Sequence, residues 1–173
     1  IRLLAGDGLV ELLPRRGAYV FQPSSSLVEE LFQVREILEC AAADFVIARD
    51  GVTLAEMRQL VQRISATKAG ESHSDYLAYV ALDERFHQLM IDSIGNHKLS
   101  EIYSGLRGHA VLVMAQYSAT DHRASSTLQE HEEIVSALER GDAEAARAAV
   151  KVHLRNAKSE ILQKLRAASR LKG

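Results

Sequence analysis

The sequence predicts an all-α protein, an antiparallel bundle of six helices preceded by a short β-hairpin. Three observations carry that prediction. After residue 23 alanine, leucine and glutamate dominate, and the two prolines, Pro14 and Pro23, both lie before the body begins. Apolar residues then recur at three-to-four spacing over long stretches, the period of a helix with one buried face. Those stretches are separated by glycine-containing breaks, Asp50-Gly51, Gly95-Asn96 and Gly141-Asp142, which stop helices and turn the chain back.

In chain order, Ile1-Arg2-Leu3-Leu4-Ala5 reads as the last turn of a helix closed by Gly6. The chain starts in the middle of that apolar period, so a preceding segment is expected. Gly8-Leu9-Val10-Glu11-Leu12 and Gly17-Ala18-Tyr19-Val20-Phe21 are β-prone runs around Leu13-Pro14-Arg15-Arg16-Gly17. They predict a hairpin with a basic tip, either a plain surface hairpin or one whose arginines meet phosphate. Pro23-Ser24-Ser25-Ser26 is a linker with a serine to cap the next helix.

Leu27, Leu31, Val34, Ile37 or Leu38, Ala41 and Phe45 then mark a helix from about Ser26 to Arg49. Thr53 is expected to cap a second helix, to about Lys68, and Ala69 to Ser74 form a polar loop. A third helix spans about Asp75 to Ile94, a fourth about Lys98 to Ser118, and a fifth about Ser126 to Arg140. Asp142 caps a long sixth from about Ala143 to Leu171.

The bulk properties narrow the function classes. At 173 residues the chain can bury one good core and a small appendage. A net charge of -2 argues against a chain-wide nucleic-acid surface and leaves room for a local one. A single cysteine, Cys40, excludes an intramolecular disulfide framework and suits a reducing compartment. No apolar run reaches the length of a bilayer span and no signal peptide is evident. The expectation is a soluble, cytoplasmic protein with no membrane partner.

The chemistry concentrates at Leu82-Asp83-Glu84-Arg85-Phe86-His87. Asp83 and His87 are four residues apart, one turn on the same helix face, with Phe86, Met90 and Ile94 on or beside it. A carboxylate and an imidazole aimed inward need each other, a metal or a ligand. His131 and His153, each followed by apolar residues at helical spacing, complete a set of three histidines and one aspartate from three helices. Such a set suits zinc first, with nickel, manganese or iron as alternatives. From the residues alone, the competing reading of His131 and His153 is that of ordinary, partly buried histidines. Glu130, Glu132 and Glu133 read as a solvated helix face, and Cys40 as a small core residue. His73, His97, His109 and His122 receive no role.

Two groups of motifs carry a resemblance. Leu3-Leu4-Ala5-Gly6-Asp7-Gly8-Leu9-Val10-Glu11 with Pro14-Arg15-Arg16-Gly17-Ala18-Tyr19-Val20 resembles the end of the winged helix in GntR-type transcription regulators. The body resembles the ligand-binding domain of their FadR branch, the FCD domain, in its shorter, VanR-like six-helix form. The matching pieces are Val34-Arg35-Glu36-Ile37-Leu38-Glu39, Asp83 to Leu89, Gly95-Asn96-His97-Lys98-Leu99, Glu130-His131-Glu132-Glu133-Ile134, Ala137 to Asp142, and His153.

The resemblance implies residues 1–23 as the remnant of a winged helix-turn-helix and residues 24–173 as a metal- and effector-binding, dimerisation domain. It implies Asp83, His87, His131 and His153 as ligands of a divalent metal; four protein ligands make either a closed structural site or, around an octahedral ion, one with two open positions where a small carboxylate could replace water. Arg35 would hold that carboxylate bidentately, the alternative being an ion pair with Glu36 or Glu39. Tyr79, one turn before Asp83, would line the pocket, the alternative being ordinary packing. Arg2, Arg15 and Arg16 would face DNA. The function implied is that of a homodimeric repressor on palindromic operator DNA, modulated by an organic-acid effector.

The alternative is a metalloenzyme in a bundle core. A di-iron site needs two Glu-x-x-His motifs, and only Glu84-Arg85-Phe86-His87 fits. No spacing nominates a general base either, so an enzyme is not expected.

Overall fold

The computed structural model describes residues 10–13, 16–21, 23–49, 51–67, 73–106 and 121–170. The hairpin is present. Strands β1 (Val10–Leu13) and β2 (Gly17–Val20) pair antiparallel, Val10 opposite Val20 and Leu13 opposite Gly17. Arg16 is exposed in the turn, its N–H bonded to Leu13 O at 3.1 Å. Arg2, Arg15 and the expected helix remnant lie outside the described residues.

Six helices follow among the described residues: α1 (Ser25–Ala48), α2 (Val52–Ala66), α3 (His73–Asp92), α4 (residues 97–106), α5 (Asp121–Glu139) and α6 (Ala143–Arg170). Ser24 caps α1, its Oγ accepting from Leu27 N–H at 3.1 Å. Thr53 does not cap α2. It lies inside the helix, and the N-cap is Gly51, whose φ of +84° no other residue type adopts without cost and which makes no side-chain cap bond. The α3–α4 turn is closed by Asn96, whose Oδ1 accepts from Lys98 N–H and Leu99 N–H at 3.1 Å each. At the α5–α6 turn Gly141 N–H reaches Leu138 O and Asp142 N–H reaches Ala137 O, both at 3.0 Å, with Gly141 at φ +69°. That is the paired closure of a helix by a left-handed residue. Asp142 then caps α6 through Ala145 N–H at 2.9 Å.

Some boundaries differ from the sequence reading. α5 starts at Asp121, so His122 is helical and not in a loop, and His73 opens α3. The expected continuation of α4 to Ser118, with His109, lies outside the described residues.

The core sits between α1, α3, α5 and α6, with α2 packed on α3 and α5. Phe86, Met90, Ile91, Ile134, Leu138, Val150 and Leu154 are its centre. A smaller cluster of Ile64, Tyr76, Tyr79 and Val80 lies at the start of α3 and joins the core through Leu82 and Leu128. Asp83 and His87 occupy α3 between these two apolar blocks. Glu132 and Glu139 of α5 hold Arg58 of α2 on the surface, Glu139 Oε2 at 2.6 Å from Nη2, a link worth about 0–1 kcal/mol.

On α1 the buried face differs from the apolar stripe. Val28, Phe32, Arg35, Glu39, Ala42, Ala43 and Val46 point inward, while Ile37 and Phe45 are 63 % and 45 % exposed. An Arg–Glu pair occupies positions that a purely apolar stripe would fill.

Candidate metal centre

Asp83 and His87 of α3, His131 of α5 and His153 of α6 meet inside the bundle. All four are buried, and one ligand atom from each lies within 4.8 Å of every other. His87 Nε2 and His153 Nε2 are 3.1 Å apart. His131 Nε2 is 3.3 Å from Asp83 Oδ1, and His87 Nε2 is 3.9 Å from Asp83 Oδ2. Neighbouring ligands of one zinc ion stand about 3.0–3.4 Å apart, given metal–ligand bonds near 2.0–2.1 Å. The two closest contacts already match that spacing.

The outer nitrogens explain why the inner ones face each other. His87 Nδ1 is 2.7 Å from Glu39 Oε2, and His153 Nδ1 is 2.8 Å from Glu130 Oε2. A carboxylate accepts, so each Nδ1 donates its hydrogen outward and each ring turns its Nε2 to the centre. Two Nε2 atoms 3.1 Å apart repel unless a proton or a metal cation lies between them. His131 adds to the demand: it is fully buried, and neither ring nitrogen makes a hydrogen bond among the described residues. Its ring leans on Phe86, with centroids 4.4 Å apart.

The surrounding charges are also incomplete. Asp83, Glu39, Glu130 and Arg35 are the buried charged side chains among the described residues. Counted formally, three carboxylates and one guanidinium leave an excess of two negative charges, which a divalent cation would balance. Burial works against the charge on Glu39, but Arg35, then His87 and the hydrogen bonds from His87 and Tyr103, outweigh it and hold the carboxyl well below the usual range. Arg35 is likewise opposed by burial, and Glu39 with weaker help from Tyr103 and Asp83 keeps it firmly protonated. Burial and then Glu39 push the Tyr103 phenol well up, so it stays a donor. Burial, His153 and His87 push His131 well below its ordinary value, leaving a neutral imidazole free to coordinate.

Two other expected residues fall elsewhere. Arg35 Nε is bonded to Glu39 Oε1 at 2.8 Å, the ion pair that the sequence left as its alternative, and its guanidinium lies over Phe32 at 5.3 Å. Tyr79 packs in the smaller cluster, its ring stacked on Tyr76 with centroids 6.0 Å apart. Cys40 is a buried core residue, as expected.

Sequence reasoning missed Glu39 and Glu130. Glu130 was read as part of a solvated face, but it is buried on His153 and anchored by Asn156 Nδ2 at 2.8 Å. A signal was available, since Glu130 falls on the helical stripe of Thr127, Ile134 and Ala137. Glu39 follows Arg35 by one turn, yet without α3 and α4 in place nothing marked it as inward.

The buried cluster of three imidazoles and a carboxylate is a group that could hold a metal ion. A family model described as "FCD domain" matches residues 30–156, a span that contains all four cluster residues. The chain belongs to the FCD family and is a GntR-type transcriptional regulator. It is 27 % identical over 162 residues to the HTH-type transcriptional repressor RspR of Escherichia coli K12, covering 92 % of this chain and 69 % of that protein. A crystal structure described as a transcriptional regulator GntR from Rhodococcus sp. RHA1 superposes with a TM-score of 0.80 at 26 % identity, over 94 % of this chain and 76 % of that one. The Zn2+-bound FCD domain of TM0439 shares the fold, with a TM-score of 0.65 at 22 % identity over 84 % of this chain and 98 % of that one. None of these relatives is described as an enzyme. No helix among the described residues is long and apolar enough to cross a membrane.

Proposed function

We propose that the helical body, residues 24–173, is the sensing and dimerisation domain of a DNA-binding repressor, and that it holds a divalent metal at Asp83, His87, His131 and His153. Residues 1–23 would be the end of its winged helix, with Arg2, Arg15 and Arg16 facing operator DNA. The observation that carries the reading is the 3.1 Å approach of two Nε2 atoms whose rings are both committed at Nδ1 to carboxylates. The unbonded His131 nitrogens and the formal charge excess support the same conclusion. The donor set favours zinc first, then nickel, manganese or iron, and the Zn2+-bound TM0439 domain is a precedent on the same fold.

Bound there, the ion would act as a Lewis acid that accepts a small carboxylate. Around it, the chain's own residues hold position and exclude water. Arg35, already inside the bundle, would supply the guanidinium for that carboxylate, with Tyr79 walling the end of the site at the smaller cluster. Such an effector alters operator binding only by favouring one arrangement of the dimer's winged helices over another. A two-fold dimer matches palindromic half-sites.

The test is operator binding by the intact regulator, measured with and without Zn2+ and with a panel of small carboxylates. Binding that changes at least severalfold with metal and one carboxylate supports the reading. Operator affinity indifferent to both, or no operator binding under any condition, would overturn it.

A further inference from the structure

Glu39 and Glu130 come from different helices, α1 and α5, and are used in the same way. Each places one carboxylate oxygen on a site histidine and has the other pinned by a separate donor. Glu39 Oε2 takes His87 Nδ1 at 2.7 Å, while its Oε1 accepts from Arg35 Nε at 2.8 Å and from the Tyr103 hydroxyl of α4 at 2.7 Å. Glu130 Oε2 takes His153 Nδ1 at 2.8 Å, while its Oε1 accepts from Asn156 Nδ2 at 2.8 Å. A carboxylate fixed at both oxygens cannot swing, so the ring it holds cannot turn its Nε2 away from the centre.

We propose that Glu39 and Glu130 are the positioning residues of this centre, fixing tautomer and ring orientation in His87 and His153 and thereby setting the affinity for a divalent cation. This rests on reading Asp83, His87, His131 and His153 as its ligands. A carboxylate on the outer nitrogen also makes the inner one a stronger donor to a metal. Glu39 is the tighter of the two holders. It is fully buried with three donors, and it ties α1, α3 and α4 together at one carboxylate. Arg35 and Tyr103 act through it, and Asn156 acts through Glu130.

The experiment is a titration of the metal-free chain with Zn2+ in competition with a chromophoric chelator, on the parent, Glu39→Gln, Glu130→Gln and the exposed control Glu133→Gln. Folding is followed in parallel by circular dichroism. Loss of such an orienting carboxylate typically weakens metal binding about 10–100-fold. That range is expected for Glu39→Gln and Glu130→Gln, none for Glu133→Gln, and a smaller loss for Tyr103→Phe. The Co2+ absorption spectrum should change in the first two, because the ligand rings are no longer held.

A merely structural role would lower the melting temperature of the metal-free variants and leave Zn2+ affinity and the Co2+ spectrum as in the parent; that result would overturn the inference. A parent that binds no metal overturns the metal reading instead. Should both Gln variants fail to fold, nitrogen-15 spectra of the Zn2+-loaded parent decide. Protonated, hydrogen-bonded Nδ1 in His87 and His153 supports the inference, and metal-bound or deprotonated Nδ1 refutes it.

Discussion

Three imidazoles meet at one point in this bundle, and they are not built alike. His87 and His153 each rest on a carboxylate at Nδ1, whereas His131 has no hydrogen bond at either nitrogen among the described residues and is packed against Phe86. Two rings are aimed by polar partners and the third by apolar packing. The difference teaches where the cost of the site falls. A buried polar group left unsatisfied costs about 1–3 kcal/mol, so the fold by itself carries a penalty at His131 that a cation held there would remove.

The largest effect should come from the metal. With free Zn2+ at about a thousand times its dissociation constant, binding to the native state adds about 4 kcal/mol. Chelation should therefore lower the melting temperature by about 10 °C in a chain of this size. An unchanged melt would mean that the penalty at His131 is met some other way.

The next two tests set the rings against each other in the metal-free protein. His87→Leu strands Glu39 Oε2 and should destabilise by about 2 kcal/mol in urea unfolding. His131→Leu breaks no hydrogen bond among the described residues and removes the unsatisfied nitrogens, at the cost of the 3.3 Å contact with Asp83 Oδ1, so stability should stay level or rise by at most about 1 kcal/mol, although Zn2+ binding is lost in both. Equal destabilisation by the two changes would erase the distinction. The smallest effect is expected at Arg58→Ala. It cuts an exposed clamp between α2 and α5, costs at most about 1 kcal/mol, and should leave Zn2+ affinity untouched.

The contrast between aimed and packed rings also explains what the sequence revealed. Helix order was legible because the turns are chemically explicit: Gly141 and Asp142 close α5 and open α6 with their own backbone and side-chain bonds, and Asn96 does the same for α4. Asp83 and His87 were legible because four-residue spacing on an apolar helix face has few meanings. His131 and His153 needed the resemblance, since a lone histidine on an apolar stripe is ambiguous until its neighbours are known.

Glu39, Glu130 and Tyr103 were illegible for a physical reason. Glutamate normally faces water, and only tertiary packing shows that these two are buried against imidazoles. The same blindness affected α1. Because Arg35 and Glu39 neutralise each other inside, hydrophobic periodicity favours a stripe through Ile37 or Leu38 and Phe45, of which Ile37 and Phe45 are exposed.

The hairpin is legible from its two β-prone runs and the Pro-Arg-Arg-Gly motif between them, and Arg16 is exposed between the strands. Metal binding by the four cluster residues can be measured without DNA. Elemental analysis of the purified chain, beside its Asp83→Ala and His131→Ala variants, is the most direct measurement. The account predicts a stoichiometric divalent ion in the parent and none in either variant. An ion absent from the parent, or retained in both variants, would contradict it.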